Sequence, residues 1–249
     1  MQLDLTKINN SLEEKSALEI LQWCYSSYEP SEIKLSTSFG AEGIVLIDMI
    51  LRTCKKPRIF TIDTGRNFSE TYNTWQELID KYNIEIEVYA PDSNDLLELT
   101  KANGPNLFYL NVKNRQQCCY IRKVKPMRKA LEGSKVWISA LRRDQSEQRK
   151  NIGILEWNNS HNLYKLNPLA KWSESTVWDY IRNNNLPYNK LYDRGYPTIG
   201  CAPCSRPVRP AQNIRSGRWW WEENEQRECG IHIVDGKFVS KKDSLNWNI

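Results

Sequence analysis

The chain has 249 residues, 40% apolar and 26% charged, enough for one sizeable core. No apolar run approaches the roughly 18 residues of a membrane span, and the opening MQLDLTKINNSLEEKS lacks the basic-then-apolar layout of a signal peptide, so cytoplasmic is the default expectation. The 35 Lys and Arg against 30 Asp and Glu leave a net +5, which suits a pocket for an anionic small molecule better than a nucleic-acid surface.

Ser11 and Glu14 have the spacing of a capping box ahead of a helix over ALEILQWCYSSY. IKLSTSF (33–39) is rich in β-formers and leads into a glycine turn, after which AEGIVLIDMILRTC predicts a helix. PRIFTID (57–63) reads as a buried strand, TGRNF as a loop, and SETYNTWQELIDKYN (69–83) as a helix. IEIEVYA (84–90) alternates strictly and predicts a strand, and SNDLLELTKANG a short helix ending at Gly104. A helix is expected through much of 114–132, then a strand over KVWISAL (135–141). LYKLNPLAKWSESTVWDYIRNNNLPYN contains a strand-like piece and a helix capped by Ser173. From 187 to 236 the chain is rich in Pro, Gly, Cys, Arg and Trp with little periodicity; irregular stretches of that length in a compact chain are usually functional or mobile.

Strands alternating with helices imply βαβ units, hence an α/β fold with a mostly parallel sheet covered on both faces, in one domain over 1–249. Ligands in such sheets bind at the carboxyl ends of the strands. SFGAEG, DTGRNF and ALRRDQS each follow a predicted strand, so they should converge on one edge.

Seven cysteines stand at 24, 54, 118, 119, 201, 204 and 229. Cys118 and Cys119 are adjacent, and Cys201-Ala-Pro-Cys204 is a CxxC; four such thiolates suit a zinc ion or an iron–sulfur cluster, and spacing alone leaves both open. Cys229, in RECGIH, is separate from both pairs and has Arg227 and His232 near it; cationic neighbours favour the nucleophilic thiolate. Cys24 and Cys54 lie in helical patterns and read as small core residues. The glycine turn SFGAEG would present backbone N–H groups to an anion, with Ser36, Thr37 and Ser38 adding hydroxyls, although it lacks the lysine of a Walker loop. The tryptophans 219–221 are expected to pack beneath the C-terminal tail.

The set CC…CAPC…RSGRWWW…ECGIH, with STSFGAEG, DTGR and ALRRDQS upstream, resembles the assimilatory sulfonucleotide reductases, and more closely their adenylyl-sulfate (APS) branch. The resemblance runs from about residue 30 to about 235. It implies an adenine-nucleotide α-hydrolase-like fold, with 30–150 as the nucleotide-binding sheet and about 187–236 as the cluster-ligand and catalytic segment. It also implies a [4Fe-4S] cluster on Cys118, Cys119, Cys201 and Cys204. Ser36, Ser38, Phe39 and Gly40 would line the nucleotide site, with Asp63, Thr64, Gly65 and Arg66 near the nucleoside and Arg142 and Arg143 on phosphate and sulfate. Lys123, Arg215 and Arg218 would face substrate, and Cys229 and His232 would form the catalytic motif, in which Ile231 stands where leucine is common. The implied activity is reduction of APS to sulfite and AMP through an S-sulfocysteine on Cys229. The chain's only CxxC is assigned to the cluster, so thioredoxin or a similar dithiol protein would be the reductant. A reductase of the 3′-phosphorylated nucleotide (PAPS) and an ATP-pyrophosphatase-type sulfurtransferase are the nearest rivals, a non-catalytic zinc module a more distant one. Oligomeric state is left open, a homo-oligomer included.

Overall fold

The computed structural model describes residues 4–209 and 213–222. Its centre is a six-stranded sheet of β1 (Ile33–Thr37), β2 (Arg58–Ile62), β3 (Glu87–Tyr89), β4 (Val136–Ile138), β5 (Leu155–Asn158) and β6 (Leu163–Leu166), in the order β3-β2-β1-β4-β6-β5. Every pairing is parallel except β5 with β6. The chain winds outward from β1 to β2 and β3 on one side, then returns to place β4 on the other. The order therefore reverses between β1 and β4, which is where such sheets open a ligand crevice.

Strand alternation fills both faces. Val136 and Ile138 of β4 join the main core with Ile33 and Leu35 of β1, while the intervening Trp137 points to the opposite layer with Phe60, Met127 and Leu131. On the main face lie α2 (Ala17–Ser27), α3 (Ala41–Thr53) and α8 (Glu174–Asn183), with Ile44 to Ile47 of α3 fully buried. The remaining helices are α1 (Leu5–Glu13), α4 (Ser69–Tyr82), α5 (Ser93–Asn103), α6 (Val112–Cys119) and α7 (Lys125–Leu131). Among the described residues no helix is long and apolar enough to cross a membrane.

The structure departs from the sequence expectations in four places. The capping box is Ser16 with Glu19, not Ser11 with Glu14. Ser16 Oγ accepts from the Glu19 amide at 3.3 Å and Glu19 accepts from the Ser16 amide at 2.8 Å, while Ser11 sits inside α1 and donates to the Ile8 carbonyl. The expected strand 84–90 pairs only over β3, because Ile84 and Ile86 turn into the main core instead. The expected helix over 114–132 is one rod with a wide π turn at Tyr120–Val124 between α6 and α7. Pro126 supplies the cause: it has no N–H and its ring would clash with the Arg122 carbonyl in a regular α-helix, so the turn widens at Arg122 and Lys123. Finally, β5 was not expected. Asn9 of α1 holds this edge strand by both backbone groups of Leu155, accepting from its N–H (2.9 Å) and donating to its carbonyl (2.8 Å).

Candidate active-site cleft

The loop after β1 is shaped by its own side chains. Phe39 has φ 58° and is buried, its ring stacked on Trp75 with centroids 5.3 Å apart. Thr37 Oγ1 accepts from the Phe39 amide at 3.0 Å, and Tyr192 Oη accepts from the Ala41 amide at 3.0 Å. Glycine is required at 43, where an added Cβ would stand 2.7 Å from Thr37 Oγ1. Ser36 Oγ accepts from the indole Nε1 of Trp137 at 2.7 Å, so the buried layer beneath the sheet holds a hydroxyl at the cleft. Two of the expected amide donors thus already have partners.

The DTGR loop is tied down from both ends. Asp63 Oδ1 accepts from the Gly65 amide (2.9 Å) and the Tyr72 hydroxyl (2.8 Å), and Gly65 takes φ 67°, a conformation that favours glycine. Thr64 Oγ1 lies 3.3 Å from Cys201 Sγ, and the Ala202 amide donates to the Arg66 carbonyl at 2.8 Å, which stitches this loop to the CAPC segment. Arg122 Nη1, on the π turn, donates to the Thr64 carbonyl at 2.7 Å. Arg66 points away to the Pro105 carbonyl and the Phe108 ring.

The two arginines after β4 part company. Arg142 turns inward, 4% exposed; its Nε donates to Glu42 Oε1 at 2.9 Å and its Nη1 to Asp144 and the Trp172 carbonyl. Arg143 turns outward and pairs with Glu13 of α1 and the Ile152 carbonyl.

These loops enclose a cleft of about 310 Å³. Of the residues singled out in the sequence, Ser36, Ser38, Gly40, Thr64, Lys123, Arg142, Cys201, Arg215 and Arg218 line it. Phe39, Asp63, Gly65, Arg66 and Arg143 do not; Phe39, Asp63 and Gly65 shape the loops that do. Cys229 and His232 lie outside the described residues. Glu42, Gln145, Arg149, Trp178 and Tyr192 also line the cleft and were missed. Glu42 and Gln145 stand inside motifs already marked, whereas Trp178 and Tyr192 arrive from distant sequence with no local signal.

Beside the cleft, Cys118, Cys119, Cys201 and Cys204 line a second, smaller cavity with Arg66, Arg115 and Arg122, and Lys123, Cys201 and Trp219 line both spaces. Trp219 is 1% exposed and lies between two guanidinium groups, Arg115 and Arg218, each 4.7 Å from its ring. An added Cβ at Gly200 would fall within 2.2–2.5 Å of the Arg218 guanidinium, so Gly200 makes room for it. Of the three tryptophans Trp219 is buried and Trp220 is 41% exposed; the tail they were expected to pack beneath lies outside the described residues. Burial pushes the Cys118 thiol up, against the pull of the Arg122 charge, and pushes Cys204 up to about 12. The expectation of a metal-binding, iron–sulfur cysteine group is corrected here. Among the described residues no group of three or more His, Cys, Asp or Glu is disposed to hold a metal ion; the four buried cysteines line a small cavity.

The Phosphoadenosine phosphosulfate reductase domain family matches residues 32–207. A relative from Allochromatium vinosum, named adenosine 5′-phosphosulfate reductase, is 43% identical over 220 residues, 88% of this chain and 85% of its own. The crystal structure of phosphoadenylyl-sulfate (PAPS) reductase from Candida auris, a phosphate complex, has a TM-score of 0.71 at 27% identity and covers 84% of this chain and 99% of that one. The FMN adenylyltransferase of Candida glabrata in complex with FAD and inorganic pyrophosphate shares the fold alone, with a TM-score of 0.55 at 14% identity over 90% of this chain and 84% of that one. A mostly parallel sheet of adenine-nucleotide α-hydrolase-like form, a match across most of the chain and a relative at this identity make the chain a member of the phosphoadenosine phosphosulfate reductase family, oxidoreductases that act on sulfur groups.

Proposed function

We propose that the chain reduces adenylyl sulfate to sulfite and AMP in assimilatory sulfate reduction in the cytoplasm, with a dithiol protein of the thioredoxin type as reductant. One observation carries this reading: Lys123, Arg149, Arg215 and Arg218 line a single cleft at the carboxyl ends of β1, β2 and β4. The chemistry requires such a cleft. A thiolate attacking the sulfur of a phosphosulfate approaches a group that is itself anionic, and preorganised cations offset that repulsion and hold the departing phosphate.

Cys229 is the proposed nucleophile. Its thiolate attacks the sulfonyl sulfur, the S–O bond to the 5′-phosphate breaks, and AMP leaves with the electron pair. The product is S-sulfocysteine. A thiolate of the reductant then attacks the Cys229 sulfur, sulfite leaves with the electron pair of the S–S bond, and a mixed disulfide forms. The second thiol of the reductant resolves it, so the dithiol is oxidised and Cys229 returns. Arg215, Arg218 and Lys123 are proposed to hold the sulfate, and His232 to assist Cys229; no step runs through a metal.

The test is single turnover without reductant. AMP release should match the amount of chain, and the peptide containing Cys229 should gain one SO₃ by mass. Cys229→Ser should still bind AMP but form no covalent adduct; turnover by this variant would sink the assignment. Iron and acid-labile sulfide analysis of anaerobically purified protein measures cofactor content separately.

A further inference from the structure

The family takes its name from a 3′-phosphorylated nucleotide, while the Allochromatium vinosum relative is named for the unphosphorylated one. The cleft itself carries a feature that bears on this choice. An anion site should be free of carboxylates, yet Glu42 stands in its wall with its side chain 17% exposed. Among the described residues Glu174 is the only other carboxylate lining that space.

Glu42 is the second residue of α3, which follows the SFGAEG turn. A helix N-terminus there would attract a phosphate through its unpaired N–H groups and its dipole. In this chain that place is already taken. The Ala41 amide donates to Tyr192, and the Glu42 carboxylate supplies negative charge to the first turn. The neighbouring donors are also engaged: the Arg142 guanidinium, through Nε, and the neutral Gln145 amide, through Nε2, both donate to Glu42 Oε1 at 2.9 Å, and Arg142 pairs further with Asp144. Glu42 Oε2 takes no hydrogen bond from a described residue. A carboxylate with one oxygen anchored and the other unfilled is an acceptor for a ligand hydroxyl.

The two ends of the cleft differ. Lys123, Cys201 and Trp219 also line the thiol cavity; Glu42, Arg142 and Gln145 do not. Arg218 lies 4.7 Å over the ring of Trp219, which lines both spaces, so with Lys123 it marks the end that suits the sulfate proposed above and leaves the Glu42 end for the ribose. Acidic residues at a ribose select hydroxyl over phosphate in other nucleotide sites, where an arginine accommodates the phosphate instead.

We propose that Glu42 is the specificity-determining residue of this cleft: Oε2 accepts a ribose hydroxyl, and its charge turns away a nucleotide phosphorylated on that ribose. This rests on the function proposed above. Glu42→Gln keeps the shape and removes the charge.

The experiment compares kcat/KM for APS and PAPS in wild type, Glu42→Gln and Glu42→Asp, alongside calorimetric Kd values for AMP and adenosine 3′,5′-bisphosphate. Glu42→Gln should raise the PAPS-to-APS ratio roughly tenfold or more, the factor that about 1.4 kcal/mol of relieved repulsion gives. APS should lose through KM, and Glu42→Asp should stay near wild type. On the wild-type chain the bisphosphate should bind more weakly than AMP, and added salt should narrow the gap by screening. Equal binding of the two by wild type, or a folded Glu42→Gln with an unchanged ratio, overturns the proposal. If wild type reduces neither sulfonucleotide, the parent reading falls, while the binding comparison still tests Glu42.

Discussion

Arg115 and Glu222 meet in a two-pronged ion pair, Nε to Oε1 and Nη2 to Oε2 both at 2.8 Å, with side chains 1% and 2% exposed. Arg115 belongs to α6, the helix that ends on the cysteine pair; Glu222 closes the RSGRWWWE segment. The pair therefore fastens one wall of the thiol cavity to the root of the segment that leads to Cys229.

Removing one partner should be costly, because the other is left charged and buried. Glu222→Ala should lower stability by about 3–5 kcal/mol. Replacing both by apolar residues of similar volume should recover much of that loss. Urea unfolding of the two variants checks it, with the double replacement expected to be the more stable.

Gly43→Ala should displace α3 from β1, since the new Cβ meets Thr37 Oγ1 at 2.7 Å. A cost of about 1–3 kcal/mol is expected for such overpacking. Thr37→Ala in the same chain removes the obstructing oxygen and should restore part of the stability, which thermal melts of the single and double variants would show.

Trp137→Phe should loosen Ser36 by removing the 2.7 Å indole hydrogen bond while keeping an aromatic ring in the lower layer. Stability should fall by about 1–3 kcal/mol through the lost bond and volume. The functional signature is a rise in KM for the sulfonucleotide with kcat little changed, read from initial rates.

His161 carries a pH prediction. Burial, and then the Arg128 and Lys165 charges, push its pKa down to about 4 from 6.5, and its ring lies edge-on to Trp137 with centroids 5.9 Å apart. Between those two pH values the unfolded chain binds a proton that the folded chain does not, so stability rises with pH across this window and is lost as pH falls through it. His161→Gln should flatten the stability profile between about pH 6.5 and 4. An unchanged acid limb in denaturant titrations would refute it.

The layered α/β fold was legible because its signals are local: Leu35, Ile59 and Ile138 sit in short β-forming runs, and Gly104 stops α5 with φ 70°. The π turn was not, because its cause is one proline acting on a carbonyl four residues back in an otherwise regular helical pattern. β5 was not, because Leu155–Asn158 is an edge strand held by Asn9, a partner 146 residues away. In the cleft, motif loops identified the neighbourhood but not side-chain direction. Arg142 and Arg143 are adjacent and equally basic, yet only Arg142 faces inward, because Glu13 is placed to draw Arg143 outward. Phe39 was marked as a nucleotide contact for its place in STSFGAE; the positive φ that turns its ring onto Trp75 has no sequence signal in a phenylalanine.

The tie between the DTGR loop and the CAPC segment also bears on how the molecule assembles. Thr64 and Cys201 are 137 positions apart, as the sheet and the segment that closes over it are joined late in the chain. Contacts at that separation carry a high loop-closure entropy and are rewarded only after nearer ones exist. All six strands, the last ending at Leu166, precede Cys201 in the chain, so the segment that completes the cleft is added to a sheet already specified upstream of it. Mild destabilisation should act in the same order, so binding competence is lost before the sheet melts.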